Sequence, residues 1–140
     1  MSTDTRPDIR PDATASVSTH ILDTSAGRPA AGVTVSLAAR PGPGADWVVL
    51  GASATDTDGR CKDLPAPPAG TTHVRLDFAV EPYFEKKRAE AQQDAPAHRD
   101  SGAPGVFFPE VAIVFAVAEG EHFHVPLLLN PFGYSVYRGS

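Results

Sequence analysis

Apolar and polar residues alternate along much of the chain, which is the pattern of β-strands that bury one face and expose the other. The clearest example is residues 72–80, where Val74, Leu76, Phe78 and Val80 are separated by polar or small residues. Shorter segments with the same period, or with a strand-like aromatic and β-branched composition, bring the prediction to eight strands: 17–22, 32–39, 47–54, 61–64, 72–80, 110–117, 122–129 and 134–137.

One segment departs from this period. Residues 82–93 are mainly good helix formers, and Pro82 stands where the first turn of a helix tolerates proline. Residues 94–105 contain two prolines and two glycines and are predicted to form a mobile loop. Because the strands do not alternate with helices, the sequence predicts an all-β sandwich of two sheets with one short surface helix.

The first 16 residues lack any apolar period. They contain two prolines and many small polar residues, so they cannot bury enough surface to offset the entropy of ordering. We therefore expect a disordered N-terminal tail at residues 1–16 and one folded domain at residues 17–140. The length of 140 residues and a hydrophobic content of 41% are sufficient for a single core.

Charge and composition exclude several classes of partner. The formal net charge is −5, and the 12 lysines and arginines are scattered apart from residues 86–88, so binding to nucleic acid is not expected. No apolar run has the length of a signal peptide or a membrane span, and we expect no contact with a membrane. Cys61 is the only cysteine, which excludes an intrachain disulfide and favours the cytoplasm.

Candidate chemistry is concentrated in the last twenty residues. His122 and His124 share one face of the predicted strand 122–129, and a turn at residues 130–133 would return Ser135 and Tyr137 to that same face. The competing interpretation is a solvated strand followed by a frayed terminus. With His20 and Arg60, these residues could form a hydrolytic site, since imidazole takes a proton from water and guanidinium holds an oxyanion.

Two other kinds of site compete with this one. His122 and His124 could bind a metal ion if Cys61 and His20 completed a tetrahedral set, but no second recognised ligand pair accompanies them. The sequence also lacks the Gly-x-Ser-x-Gly element of many serine hydrolases. We therefore predict a site without a metal ion or other cofactor.

Several motifs together resemble the transthyretin-related 5-hydroxyisourate hydrolases. They occur in the family's order and span residues 18–140: STHILDT (18–24), GRPA (27–30), DGR (58–60), FPEV (108–111), HFHVPLLL (122–129) and YRGS (137–140). Two features depart from the family pattern. Asn130 stands where serine is common, and the segment at about residues 89–105 looks longer than usual.

The resemblance implies a transthyretin-like (prealbumin-like) sandwich of two four-stranded sheets with one short helix, assembled as a homotetramer that is a dimer of dimers. It implies the hydrolysis of 5-hydroxyisourate, the product of urate oxidation, to 2-oxo-4-hydroxy-4-carboxy-5-ureidoimidazoline. The residues that match the family's catalytic positions are His20, Arg60, His124 and Tyr137. Those implied to bind substrate are His20, Arg60, Tyr137, Arg138 and Ser140.

Two other functions fit the same fold, because fold alone does not determine function. A transthyretin-type carrier would bind small hydrophobic ligands in the same cleft without chemistry. A β-sandwich interaction module would carry the polar residues only as surface groups. The histidines, the arginine and the terminal YRGS favour the enzyme, since an apolar carrier has no need of them.

Overall fold

The computed structural model describes residues 14–94 and 105–140. Within these residues the chain forms nine strands and one helix, α1 (Val80–Asp94). The strands are β1 (Ser16–Asp23), β2 (Arg28–Pro29), β3 (Thr34–Arg40), β4 (Val48–Ala54), β5 (Arg60–Cys61), β6 (His73–Ala79), β7 (Glu110–Ala116), β8 (His122–Asn130) and β9 (Gly133–Val136).

The strands form two sheets. Sheet 1 has the order β2-β1-β8-β9, and β5 also pairs with β1. Because β8 occupies one edge of β1 along its whole length, β5 and β2 share the opposite edge, so sheet 1 is four strands wide. Sheet 2 has the order β4-β3-β6-β7 and is antiparallel throughout.

The prediction of a mainly β, two-sheet sandwich with one helix is confirmed, with corrections to two short strands. The predicted strand at 61–64 is wrong, because β5 ends at Cys61 and the following residues include three prolines that cannot donate to a ladder. The two-residue β2 lies in a segment predicted to be a loop. Sheet 1 therefore contains five strands where four were predicted.

The core lies between the two sheets and follows the predicted alternation. Val74, Leu76 and Phe78 of β6 are fully buried, and they face Ile21 and Leu127 of sheet 1, which are equally buried. Removing each such side chain from water contributes roughly 1.5–3 kcal/mol. The residues between them point outward, which fixes the outer face of each sheet.

Helix α1 is attached to the end of β1 through a buried carboxylate. Asp23 has no solvent exposure and accepts hydrogen bonds from the Tyr83 hydroxyl (2.7 Å) and from the hydroxyl and N–H of Ser25. Burial by itself would raise the pKa of Asp23, but the hydrogen bonds outweigh it and hold the pKa below its ordinary value. The helix therefore has a fixed position beside sheet 1.

The predicted N-terminal tail and the predicted loop lie largely outside the described residues. Most of the predicted tail at 1–16, namely residues 1–13, falls outside the described residues, as do residues 95–104 of the predicted loop. Ser16 belongs to β1 and Ala15 is buried, because the Ser16 N–H donates to the Glu121 carbonyl at 3.0 Å. The folded part thus begins at least two residues before the predicted boundary.

No helix in the described ranges is long and apolar enough to cross a membrane.

Candidate active site

The parallel pairing of β1 with β8 assembles the polar face of sheet 1. In this register Ser16 lies opposite His122, Ser18 opposite His124, and His20 opposite Pro126. Paired residues of neighbouring strands point to the same side of a sheet. Their neighbours in sequence are buried in the core, so these side chains all point outward. We call this surface, together with Arg60, the histidine face.

Arg60 reaches the histidine face through a tight turn. One carboxylate oxygen of Asp56 accepts the N–H groups of Asp58 (2.9 Å) and Arg60 (3.0 Å), and these bonds hold the pKa of Asp56 below its ordinary value. Gly59 has a φ of +76°, and a Cβ there would lie 2.4 Å from the Ile21 carbonyl oxygen. Only glycine fits this turn, which places Arg60 opposite His20 in the ladder.

The ring of His20 is held by the same turn. Its Nε2 lies 2.9 Å from the carbonyl oxygen of Asp58. A carbonyl can only accept, so Nε2 carries the proton and donates it. In the neutral ring, the lone pair of His20 is therefore on Nδ1.

The other two histidines are joined by serine hydroxyls. The Ser18 hydroxyl lies 2.8 Å from Nε2 of His122 and 2.8 Å from Nδ1 of His124. The Ser16 hydroxyl lies 2.6 Å from the remaining ring nitrogen of His122, Nδ1. The four side chains form one continuous hydrogen-bonded chain, which runs from the exposed Ser16 and His122 to the half-buried His124.

The pKa of His124 is shifted by its surroundings. Partial burial lowers its pKa from the ordinary value of 6.5, and the nearby positive charges of Arg60, His20 and His122 lower it further. Its imidazole is therefore mainly neutral near neutral pH. A neutral ring beside a guanidinium can accept a proton while the cation holds an anion.

The C-terminal residues return along β8 but leave the ladder at Pro126. The register of β9 with β8, continued beyond Val136, would bring Tyr137 opposite Pro126, which has no N–H to donate. Pairing resumes at Gly139, whose N–H donates to the His124 carbonyl at 2.8 Å. A Cβ at Gly139 would lie 2.9 Å from Cδ2 of His124, so the terminus packs directly against that ring.

The structure does not bring the whole predicted set together within one chain. Arg138 turns away from the histidines, because its guanidinium lies over the Phe123 ring at 4.6 Å and 3.3 Å from the Glu121 carboxylate. Tyr137 is 57% exposed, and within the described residues no hydrogen bond or ring contact joins it to His20, Arg60 or His124. Ser140 is exposed beside Gly139.

Sequence reasoning missed the two serines. Ser16 and Ser18 lie four and two residues before His20, so alternation alone places all three on one face. What the sequence does not show is that β1 pairs with β8. Cys61, a possible metal ligand by its residue type, is buried in the core while its neighbour Arg60 is exposed. Among the described residues, no group of three or more His, Cys, Asp or Glu side chains is placed to hold a metal ion.

Comparison with known proteins shows which family this chain belongs to. The sequence model of the HIUase/Transthyretin family matches residues 17–139. The 5-hydroxyisourate hydrolase of Salmonella dublin is 40% identical over 126 residues, which cover 89% of this chain and 80% of that protein. The 5-hydroxyisourate hydrolase of Mus musculus is 37% identical over 128 residues, which cover 89% and 94%.

Solved structures agree with this assignment. The structure of Klebsiella pneumoniae 5-hydroxyisourate hydrolase superposes with a TM-score of 0.64 at 34% identity, covering 89% of this chain and 98% of that one. Transthyretin from Sparus aurata superposes with a TM-score of 0.67, covering 88% and 95%. Its identity of 20% supports the shared fold alone.

Proposed function

The chain belongs to the HIUase/Transthyretin family, and from this premise we propose that it hydrolyses 5-hydroxyisourate to 2-oxo-4-hydroxy-4-carboxy-5-ureidoimidazoline in urate degradation. The observation that carries the proposal is the pairing of β1 with both β5 and β8. It places His20, Arg60 and His124 on one outward face. An apolar carrier would have no use for two imidazoles beside a guanidinium.

The reaction opens a cyclic amide, and each residue has a part in it. Water attacks the ring carbonyl carbon while His124, kept neutral by its lowered pKa, accepts the proton of that water. Arg60 donates hydrogen bonds to the oxygen that becomes negative. The carbon–nitrogen bond then breaks, and the proton returns from the histidine to the departing ring nitrogen. His20 offers its Nδ1 lone pair to a donor group of the substrate.

We propose that Tyr137, Arg138 and Ser140 complete the substrate site in a homotetramer that is a dimer of dimers. In the described residues β7 and β9 each pair on one side only, which leaves two edges free for another chain. Between them is an apolar opening of about 220 Å³ lined by Phe115, Phe123 and Val136 among others. Light scattering of the full chain should give four subunits, and a fully active monomer would contradict this proposal.

The activity is tested directly with freshly generated 5-hydroxyisourate. The ultraviolet absorbance of the substrate should decay much faster with the protein than without it. The matched control is the His124→Ala variant at the same concentration. A carrier would bind the compound without changing its decay, so equal decay rates with protein and buffer would reject the enzyme.

We also propose that the reaction needs no metal ion and takes place in the cytoplasm. Dialysis against a strong chelator should leave kcat/KM unchanged, and activity that disappears with chelation and returns with stoichiometric zinc would overturn the first point. The single cysteine, Cys61, is unpaired and buried, which suits a reducing compartment. Cell fractionation tests the second point.

A further inference from the structure

Ser18 lies between the rings of the two histidines of β8. Its hydroxyl oxygen is 2.8 Å from a nitrogen of each ring, and the residue is only 7% exposed. A serine hydroxyl has one proton to donate and two lone pairs to accept with. It can therefore donate to at most one of the two rings, and a ring that does not accept its proton must itself donate to it. The proton positions of His122 and His124 are linked through this one hydroxyl.

When the Ser18 hydroxyl donates to one of the rings, the link has two possible directions. In the first, the N–H at Nδ1 of His124 donates to Ser18, Ser18 donates to Nε2 of His122, and Nδ1 of His122 donates to Ser16. In the second, every one of these bonds is reversed. Only the first direction leaves the lone pair of His124 on Nε2, the nitrogen that makes no bond to the serine chain. The positive charge of Arg60 favours a lone pair over an N–H on the free nitrogen of this ring.

Resting on the proposed function, we propose that Ser18 and His122 are positioning residues that hold His124 in its Nδ1–H tautomer, so that Nε2 is free to take the proton of the attacking water. When Nε2 accepts that proton, His124 becomes an imidazolium whose Nδ1–H bond to Ser18 is already formed. The hydroxyl, itself donating to His122, stabilises this cation without adding a negative charge. The proton then returns from Nε2 to the departing ring nitrogen, and the hydrogen-bonded chain is unchanged at the end.

The arrangement complements that of His20. The Asp58 carbonyl fixes His20 with its proton on Nε2 and its lone pair on Nδ1, and the serine chain fixes His124 the opposite way. The charged and titratable groups that face His124 are Arg60 from β5, His20 from β1 and His122 from β8 itself. On the edge of the ring away from Nδ1, Cδ2 lies 2.9 Å from where a Cβ at Gly139 would be. No carboxylate takes the part that Ser18 fills here, within the residues the structure describes.

The tautomer can be measured without substrate. In full-length protein with ¹⁵N-labelled histidine at pH above 7, long-range ¹H–¹⁵N correlation spectra distinguish a protonated ring nitrogen from an unprotonated one. We expect His124 with a protonated Nδ1 and an unprotonated Nε2. Ser18→Ala should convert it to a mixture or to the Nε2–H form, whereas Ser18→Thr, which keeps the hydroxyl, should preserve it. Ser36→Ala, an outward serine of sheet 2, is the matched control.

Kinetics give the second readout. Ser18→Ala should lower kcat by roughly ten- to a hundredfold with KM nearly unchanged. This loss is smaller than the roughly 10⁴-fold fall in kcat seen when the charged aspartate that fixes the histidine tautomer of a Ser-His-Asp triad is replaced. Ser18→Thr should recover most of the rate, and His122→Phe should act in the same direction as Ser18→Ala. A wild-type His124 with its proton on Nε2, or a Ser18→Ala variant with unchanged tautomer and kcat, would overturn the inference.

The two readouts separate this inference from the proposed function. A protein that shows the Nδ1–H tautomer but does not hydrolyse 5-hydroxyisourate would reject the proposed function and leave the tautomer assignment standing. A protein that is active but shows the other tautomer would reject only the role given to Ser18 and His122.

Discussion

The outward faces of the two sheets both carry histidine and arginine, but they use them differently. On sheet 2 the Nε of Arg75 donates to the Asp77 carboxylate at 2.8 Å, and the guanidinium groups of Arg40 and Arg75 lie over the Trp47 ring at 4.4 and 5.0 Å. On sheet 1 no carboxylate lies within ion-pair distance of Arg60 in the described part of the chain. Among the described residues, Arg75 on sheet 2 is paired with a carboxylate and Arg60 on sheet 1 is not.

This difference separates a surface whose arginine is held by a carboxylate from one whose arginine is not. A guanidinium that already holds a carboxylate has little to offer a substrate. The three imidazoles of the histidine face are held instead by neutral groups, namely the hydroxyls of Ser16 and Ser18 and the backbone carbonyl of Asp58. Burial lowers the pKa of His124, and the nearby positive charges of Arg60, His20 and His122 lower it further. Polar composition alone would not have distinguished the two faces.

The largest expected effect is a loss of catalysis on sheet 1 with none on sheet 2. His20→Ala, Arg60→Ala and His124→Ala should each lower kcat/KM by roughly 10²–10⁴-fold, since each removes a proton-transfer or anion-binding group. His73→Ala is the matched histidine control from the outer face of β6. Steady-state assays with 5-hydroxyisourate measure this. An inactive His73→Ala variant that is still folded would break the comparison.

The second largest effect is expected for the turn at Gly59, which positions Arg60 on the histidine face. Gly59→Ala should destabilise the fold by about 1–2 kcal/mol through its positive φ and by about 1–3 kcal/mol more through the clash with the Ile21 carbonyl. Gly27→Ala is the control, because its φ is similar at +71° but nothing lies within 4 Å of the added Cβ. Urea unfolding of both variants tests this, and equal losses of stability would contradict the clash.

The C-terminal residues should have a smaller effect that is confined to activity. A chain that ends at Val136 loses Tyr137, Arg138 and the packing of Gly139 on His124. Loss of one charge-assisted hydrogen bond costs roughly 1.5–3 kcal/mol, which is about ten- to a hundredfold in kcat/KM. We expect a folded protein with at least that loss. Full activity in the folded, truncated chain would remove the terminus from the site.

The pH dependence of stability should carry the sign of the His124 shift. The folded-state pKa lies below the ordinary 6.5, so the unfolded chain binds this proton more readily. The free energy of unfolding should therefore fall as the pH is lowered from 6.5 through the folded pKa. His124→Gln should remove that part of the slope. Urea unfolding at several values between about pH 5.5 and 7.5, which bracket the ordinary pKa of histidine, measures this slope. A His124→Gln variant with the same slope as the wild type would argue against the shift.

The smallest effect is expected for the ion pair of sheet 2. The side chains of Arg75 and Asp77 are 25% and 29% exposed, and pairs of this kind contribute about 0–1 kcal/mol. Asp77→Asn should therefore change stability by less than about 1 kcal/mol and leave kcat/KM unchanged. Thermal unfolding and the substrate assay check both, and a loss of activity would show that sheet 2 also serves the reaction.

Much of the fold could be predicted because alternation is a local signal. The strands β1, β3, β4, β6, β7, β8 and β9 lie within two residues of their predicted bounds, and α1 extends the predicted helix by two residues at its start. The failures are the two-residue strands β2 and β5. Such strands have no period of their own, and they exist because the free edge of β1 supplies their hydrogen bonds. Local pattern contains no information about that edge.

For the candidate site, the sequence determined the faces: a period of two places His122 with His124, and Ser16 and Ser18 with His20, whatever the tertiary fold. The motifs identified the family that these residues belong to. Only the tertiary structure decided which faces meet, through the parallel pairing of β1 with β8 more than a hundred residues away. The reason is physical. Register between distant strands is set by packing their apolar sides into one core. The contacts of Ser18 and the orientation of Arg138 therefore depend on residues far from each of them in sequence.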